Sequence, residues 1–139
     1  MGTDSAAALS LVNTVVAEAF DRWSPPLHKE FETNTHHDQC GQTLLHDTPE
    51  LRIWQTRLDP GERLPVHRHE RDYVWIALTH GTARQHEGDG TSREISFERG
   101  RTQYFTFDEG QHHLHDLKNI GDEPLSFLTV ETGGGAAAR

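Results

Sequence analysis

Residues 61–69 read Gly61-Glu62-Arg63-Leu64-Pro65-Val66-His67-Arg68-His69. On an extended strand, side chains two positions apart point to the same face. His67 and His69 therefore stand side by side, and one cation can take a nitrogen from each. Alone, such a pair reads as two surface histidines on a sheet. A second segment changes its weight: Gly110-Gln111-His112-His113-Leu114-His115-Asp116-Leu117-Lys118-Asn119. His113 and His115 share a face with Leu117, and a ligand from a second strand is what a three-histidine metal site requires. The chain has 11 histidines in 139 residues, most of them between His67 and His115.

Outward from these segments the pattern is that of short strands between turns. Gln42–His46, Leu51–Leu58, Tyr73–Leu78, Thr82–Glu87, Thr91–Phe97, Thr102–Phe107, His113–Ile120 and Leu125–Glu131 read as strands. Asp59-Pro60-Gly61, Gly88-Asp89-Gly90, Asp108-Glu109-Gly110 and Gly121-Asp122-Glu123-Pro124 supply turn chemistry. An all-β barrel over residues 42–132 follows. Before it, Ser5–Trp23 is rich in Ala, with Leu9, Val12, Val16 and Phe20 at helical spacing, so the pattern predicts a helix that Ser24-Pro25-Pro26 ends. Residues 27–41 show no period and complete an N-terminal arm over 1–41. The tail, 133–139, is expected to be flexible.

The formal net charge is −9, from 13 basic and 22 acidic residues. An acidic surface without a basic cluster argues against nucleic acid. Ser10, Asn13, Thr14 and Glu18 interrupt the apolar N-terminal stretch, which argues against a membrane span or signal peptide. The lone cysteine, Cys40, cannot form a disulfide within the chain and fits a reducing, cytoplasmic setting. It reads as a packed thiol.

The two histidine segments resemble the two motifs of the cupin superfamily. Gly61, His67, His69 and Gly81 match the first, and Gly100, Gly110, a histidine and Asn119 match the second. The resemblance covers about Gln42 to Glu131. It implies a double-stranded β-helix (jelly-roll) barrel holding a divalent metal. Two departures stand out. Tyr73 and Val74 occupy the positions where the first motif places an acidic ligand. Two extra residues between Gly110 and Asn119 leave the third ligand open: counting back from Asn119 gives His115, counting forward from Gly110 gives His113, and the better-anchored asparagine favours His115. Sites of histidine alone resemble those of thiol and diketone dioxygenases, which use Fe2+. Zn2+, Ni2+, Mn2+ or Cu2+ also suit imidazole. The resemblance thus implies a metal-dependent small-molecule enzyme, most simply a non-haem iron dioxygenase. A redox-neutral isomerase or lyase, or a non-catalytic binding protein, are the alternatives on the same barrel.

Tyr73, at the vacant acidic corner, is a candidate to contact substrate or metal-bound water. Trp75 shares its face and reads as pocket wall, while Trp54 and Tyr104 read as structural. Arg57, on the face of Leu51 and Ile53, is a candidate to point inward and clamp a substrate carboxylate. An apolar arm not needed to close the barrel predicts a homodimer.

Overall fold

The computed structural model describes residues 9–135. Ten strands and one helix follow in the order β1 (Leu11–Ala17), α1 (Pro25–Thr33), β2 (Thr43–Thr48), β3 (Leu51–Leu58), β4 (Arg63–His69), β5 (Arg71–Ala77), β6 (Gly81–His86), β7 (Ser92–Phe97), β8 (Thr102–Phe105), β9 (His113–Asn119) and β10 (Leu125–Gly135). They form two five-stranded sheets, β1-β7-β6-β9-β4 and β2-β3-β10-β5-β8. All pairings are antiparallel. This is the double-stranded β-helix that the motifs imply. Leu58, Leu64, Ala83, Leu125 and Phe127 close one end of the barrel, with Trp75, Phe97 and Leu117 against them. Asn119, the last residue of the second motif, holds that end: its side-chain amide donates to the carbonyls of Leu58 (2.9 Å) and Glu123 (2.8 Å).

The N-terminal arm departs from its expected form. No helix runs through the described part of Ser5–Trp23; Leu11–Ala17 is an edge strand paired with β7, from Leu11 opposite Phe97 to Val15 opposite Arg93. The apolar spacing fits either period, but Val12, Thr14, Val15 and Val16 are β-branched and favour a pleated surface. The free edge of β7 then decides, because it offers backbone partners that an isolated helix lacks. Residues 5–8 of that expectation lie outside the described residues. Ser24-Pro25-Pro26 does not end a helix but begins one. Ser24 Oγ accepts from Leu27 N at 3.3 Å as N-cap, and the prolines fill the first turn, where an N–H is not needed. At the other end, β10 extends through Gly133–Gly135, which the sequence assigns to a flexible tail; residues 136–139 of that expectation lie outside the described residues. Tyr104, expected to be structural, lies on the edge strand β8 and is 60% exposed. Among the described residues no helix is long and apolar enough to cross a membrane.

Helix α1 covers the outer face of the first sheet. Trp23, Phe31 and Val66 pack there with Leu27 and Leu114. Beneath it, Arg63 is shared between Glu30 (Nη1 and Nη2 at 2.9 and 2.8 Å) and Asp116 (Nε and Nη2 at 3.2 and 2.8 Å).

Candidate metal centre

The β4–β9 ladder slips between Leu64 and His67. In a regular strand Leu64 and His67 would face opposite ways, yet Leu64 belongs to the barrel core and His67 lies beside His69. The bulge at Pro65-Val66 reconciles them. Pro65 has no N–H to lose from the ladder, and the N–H of Val66 is taken by Glu30 Oε2 at 2.8 Å. Helix α1 therefore helps aim the histidines from the far side of the sheet.

Beyond the bulge, His67 faces His115 and His69 faces His113 across the strand pair. His67, His69 and His115 are buried, and one ring nitrogen from each lies within 4.8 Å of the others. Their ring centroids are 4.6 Å (His67–His115), 4.9 Å (His67–His69) and 5.2 Å (His69–His115) apart. His113 stands beside this triad rather than in it. Its ring stacks on His115 at 4.0 Å, and its Nδ1 pairs with the Tyr73 hydroxyl at 2.8 Å.

Burial pushes all three imidazoles towards the neutral form: His67 down to about 4, His69 and His115 well below the ordinary histidine range. Neutral imidazole is the form that ligates a metal. The Nδ1 of His67 lies 2.7 Å from the Pro65 carbonyl. A carbonyl only accepts, so Nδ1 carries the proton and Nε2 keeps its lone pair free. His69 Nδ1 and both nitrogens of His115 are buried with no hydrogen-bond partner. Unpartnered buried polar atoms are costly, and a cation taking one nitrogen from each ring would relieve that cost. The donor set fits a divalent ion.

Tyr73 takes the acidic ligand's place as a buried phenol. Its ring stacks on His69 at 3.8 Å and 13°, and burial raises its hydroxyl well above the usual tyrosine range. Its hydroxyl faces His113. Arg57 faces solvent rather than the barrel interior: Trp54, Thr56 and Leu58 are the buried residues of β3, and Arg57 pairs with Asp59 at 3.1 Å. The arginine at the cavity is Arg93 on β7, which sequence reasoning missed although Arg93, Ile95 and Phe97 alternate on one face. Arg93 bonds Glu87 through Nε, and Glu87 Oε2 lies 3.7 Å from His113 Nε2.

The cavity at the histidines is about 220 Å³. One wall carries His67, His69, His113 and His115, with Glu87, Arg93, Gln85 and Gln103 nearby. The rest is apolar, with Trp75, Ile95, Phe97, Phe105 and Phe127. That volume is below the ~300–1,000 Å³ of sites for drug-sized molecules.

A family model described as auxin binding protein matches residues 23–132. Among curated proteins, the chain is 26% identical over 114 residues to oxalate decarboxylase OxdC of Bacillus subtilis, a match covering 76% of this chain and 29% of that protein. It is 26% identical over 103 residues to Auxin-binding protein 1 of Arabidopsis thaliana, covering 68% of this chain and 48% of that protein. The chain thus spans less than half the length of these two relatives. Among solved structures, a cupin domain from Bordetella pertussis gives a TM-score of 0.56 at 23% identity, covering 65% of this chain and 88% of that one. A protein with a double-stranded beta-helix domain from Klebsiella pneumoniae gives 0.53 at 23%, covering 68% and 77%. At these identities the structural likeness is one of fold.

Proposed function

The chain belongs to the auxin binding protein family of the cupin superfamily, and from that premise we propose that it holds one divalent metal ion on His67, His69 and His115 and presents the ion's open positions to a small anionic molecule. The observation that carries this reading is the group of buried ring nitrogens on His69 and His115 that have no partner. Three neutral ligands leave the charge of a divalent ion uncompensated in a buried site, and an anionic group on the occupant supplies the missing charge. The apolar walls suit the body of that occupant.

The enzymatic form of the proposal is a non-haem iron dioxygenase, for which His67, His69 and His115 would hold Fe2+ and the bound ion would supply open positions for dioxygen and substrate. The test is to load the metal-free chain with Fe2+ under anaerobic conditions, measure metal per chain, then follow oxygen uptake with small thiols and diketones. One ion per chain with substrate-dependent uptake supports it. Full metal content with no uptake refutes the dioxygenase and leaves a binding role, which the naming of one curated relative for auxin binding favours. A chain that takes up no ion refutes the site.

A homodimer belongs to this proposal. The edge strand β1 leaves Val12, Val15 and Val16 exposed on its two faces, and a second copy would cover that apolar edge. Sedimentation at tens of micromolar, roughly a thousandfold above a stable dimer's nanomolar-range constant, should give a dimer; a monomer there refutes it.

A further inference from the structure

Beside the three-histidine cluster lies a second convergence of donors that shares one of its members. Cys40, His69 and Glu131 are all buried, and the Cys40 sulfur, a His69 nitrogen and a Glu131 carboxylate oxygen lie within 4.8 Å of one another. They come from three separate parts of the chain. The segment before β2 runs along β4, where Arg68 N donates to the His37 carbonyl at 2.6 Å, and this lays Cys40 against the backbone of Arg68. Glu131 comes from β10, in register with Tyr73 on β5. Trp54 Nε1 donates to its Oε1 at 2.6 Å, which fixes the carboxylate. His69 is 2% exposed, its Nδ1 has no hydrogen-bond partner, and its ring plane is set by the stack on Tyr73.

We propose that Cys40, His69 and Glu131 form a second cation site, selective for a thiophilic divalent ion such as Zn2+ or Cd2+, which competes with the three-histidine cluster for the one free lone pair of the neutral His69 ring. The chemistry of the donors carries the distinction. Thiolate, imidazole and carboxylate are a zinc-type set, whereas imidazoles alone do not prefer a soft ion. The charge differs as well. Thiolate and carboxylate together offset both charges of the ion, so this site needs no anionic occupant. The Cys40 proton leaves to solvent when the ion binds, and no oxidation change is involved. Cys40 and His69 both line the cavity, which gives the ion its way in.

The test is a titration of the full-length, metal-free chain with Cd2+ and with Co2+, read as ultraviolet thiolate-to-metal charge-transfer absorption. The wild type should develop the band, saturating at one thiolate-bound ion per chain. Cys40→Ser should abolish it, and Glu131→Gln should weaken the site by about tenfold or more. His67→Ala and His115→Ala, which dismantle the other cluster, should each keep the band. No band in the wild type at saturating Cd2+ overturns the proposal, as does loss of the band in His67→Ala. Ion uptake without a band, abolished by His67→Ala, would overturn this site while leaving the three-histidine reading intact. Far-UV circular dichroism checks that Cys40→Ser is folded; if it is not, the wild-type and His67→Ala arms still decide.

Discussion

On the inner face of β9, His115 is buried with neither ring nitrogen bonded. One residue later, on the outer face, Asp116 is just as deeply buried, and its carboxylate is saturated. It accepts from Arg63 Nε and Nη2 and from the backbone N–H of His86 at 2.7 Å, and His86 Nδ1 lies 3.0 Å away. Both are polar groups in the same strand at similar depth. The outer face spends its polar atoms on each other and on α1, so it is stabilising structure. The inner face leaves its polar atoms open, which destabilises the empty protein and readies it for a cation. Unmet bonding capacity, rather than burial or charge, separates the two roles.

The largest effect should come from removing an inner-face ligand. His67→Ala or His69→Ala should lower affinity for a divalent ion at the three-histidine cluster by more than the ~10–100-fold typical of losing a supporting group, with the barrel still folded. Elemental analysis of His67→Ala, where the shared residue His69 is kept, is the cleaner measurement. Full occupancy of the cluster in that variant would break the comparison at its inner side.

The outer face should answer with stability. Asp116→Ala leaves the His86 N–H buried and Arg63 with Glu30 alone, and should cost about 3 kcal/mol, read as a fall in the urea midpoint. Metal affinity should change less than in His67→Ala, through the looser aim of β9. If Asp116→Ala unfolds no more easily than wild type, the outer network is not structural.

How much of this contrast was legible beforehand depends on which atoms carried it. The HxH pair and the Asn119 register are local patterns, so the barrel and its succession of strands and turns were readable. The open choice between His113 and His115 was not settled by counting; the pairing of β4 with β9 brings His115 to the other two. The bulge at Pro65-Val66 and its capture by Glu30 depend on a helix that the sequence pattern placed too early. Helical spacing in Leu9, Val12, Val16 and Phe20 is also compatible with an extended edge, and only the unpaired side of β7 distinguishes them. Arg57 was expected to point inward for a related reason. Face assignment on β3 was anchored on Leu51 and Ile53, near its start, whereas the buried alternation is set by Trp54, Thr56 and Leu58.

Acid should expose the inner face as the more fragile. In the metal-free protein, His67 titrates at about 4 when folded because burial disfavours its cation, against about 6.5 when unfolded. The unfolded chain thus binds the proton first as pH falls. Stability should be full above about pH 6.5 and decline between there and pH 4, by about 3 kcal/mol from this residue. His69 and His115 shift in the same direction and deepen the loss. Urea midpoints from pH 7.5 to 4.5 measure it. A flat profile in the metal-free chain would mean that the buried imidazoles are better solvated than the packing indicates.

The smallest effect belongs to Tyr73, and it probes the border between the two faces' behaviour. The phenol sits on the inner face yet is satisfied, since its hydroxyl meets His113 Nδ1 at 2.8 Å. Burial keeps it neutral, and a neutral phenol is a poor ligand for a divalent ion near pH 7. Tyr73→Phe keeps the ring that stacks on His69 and removes only the hydroxyl. Affinity at the three-histidine cluster should then stay within about threefold, less than a kilocalorie per mole, while His113 loses a partner. Tyr73→Glu makes the opposite change. It places a carboxylate beside His69, supplies one of the charges that the three imidazoles leave uncompensated, and should tighten metal binding while weakening that of small anions. Isothermal titration of both variants with the same ion gives the two numbers side by side. A loss of the ion in Tyr73→Phe would make the hydroxyl a ligand, and the inner face would then hold four donors rather than three.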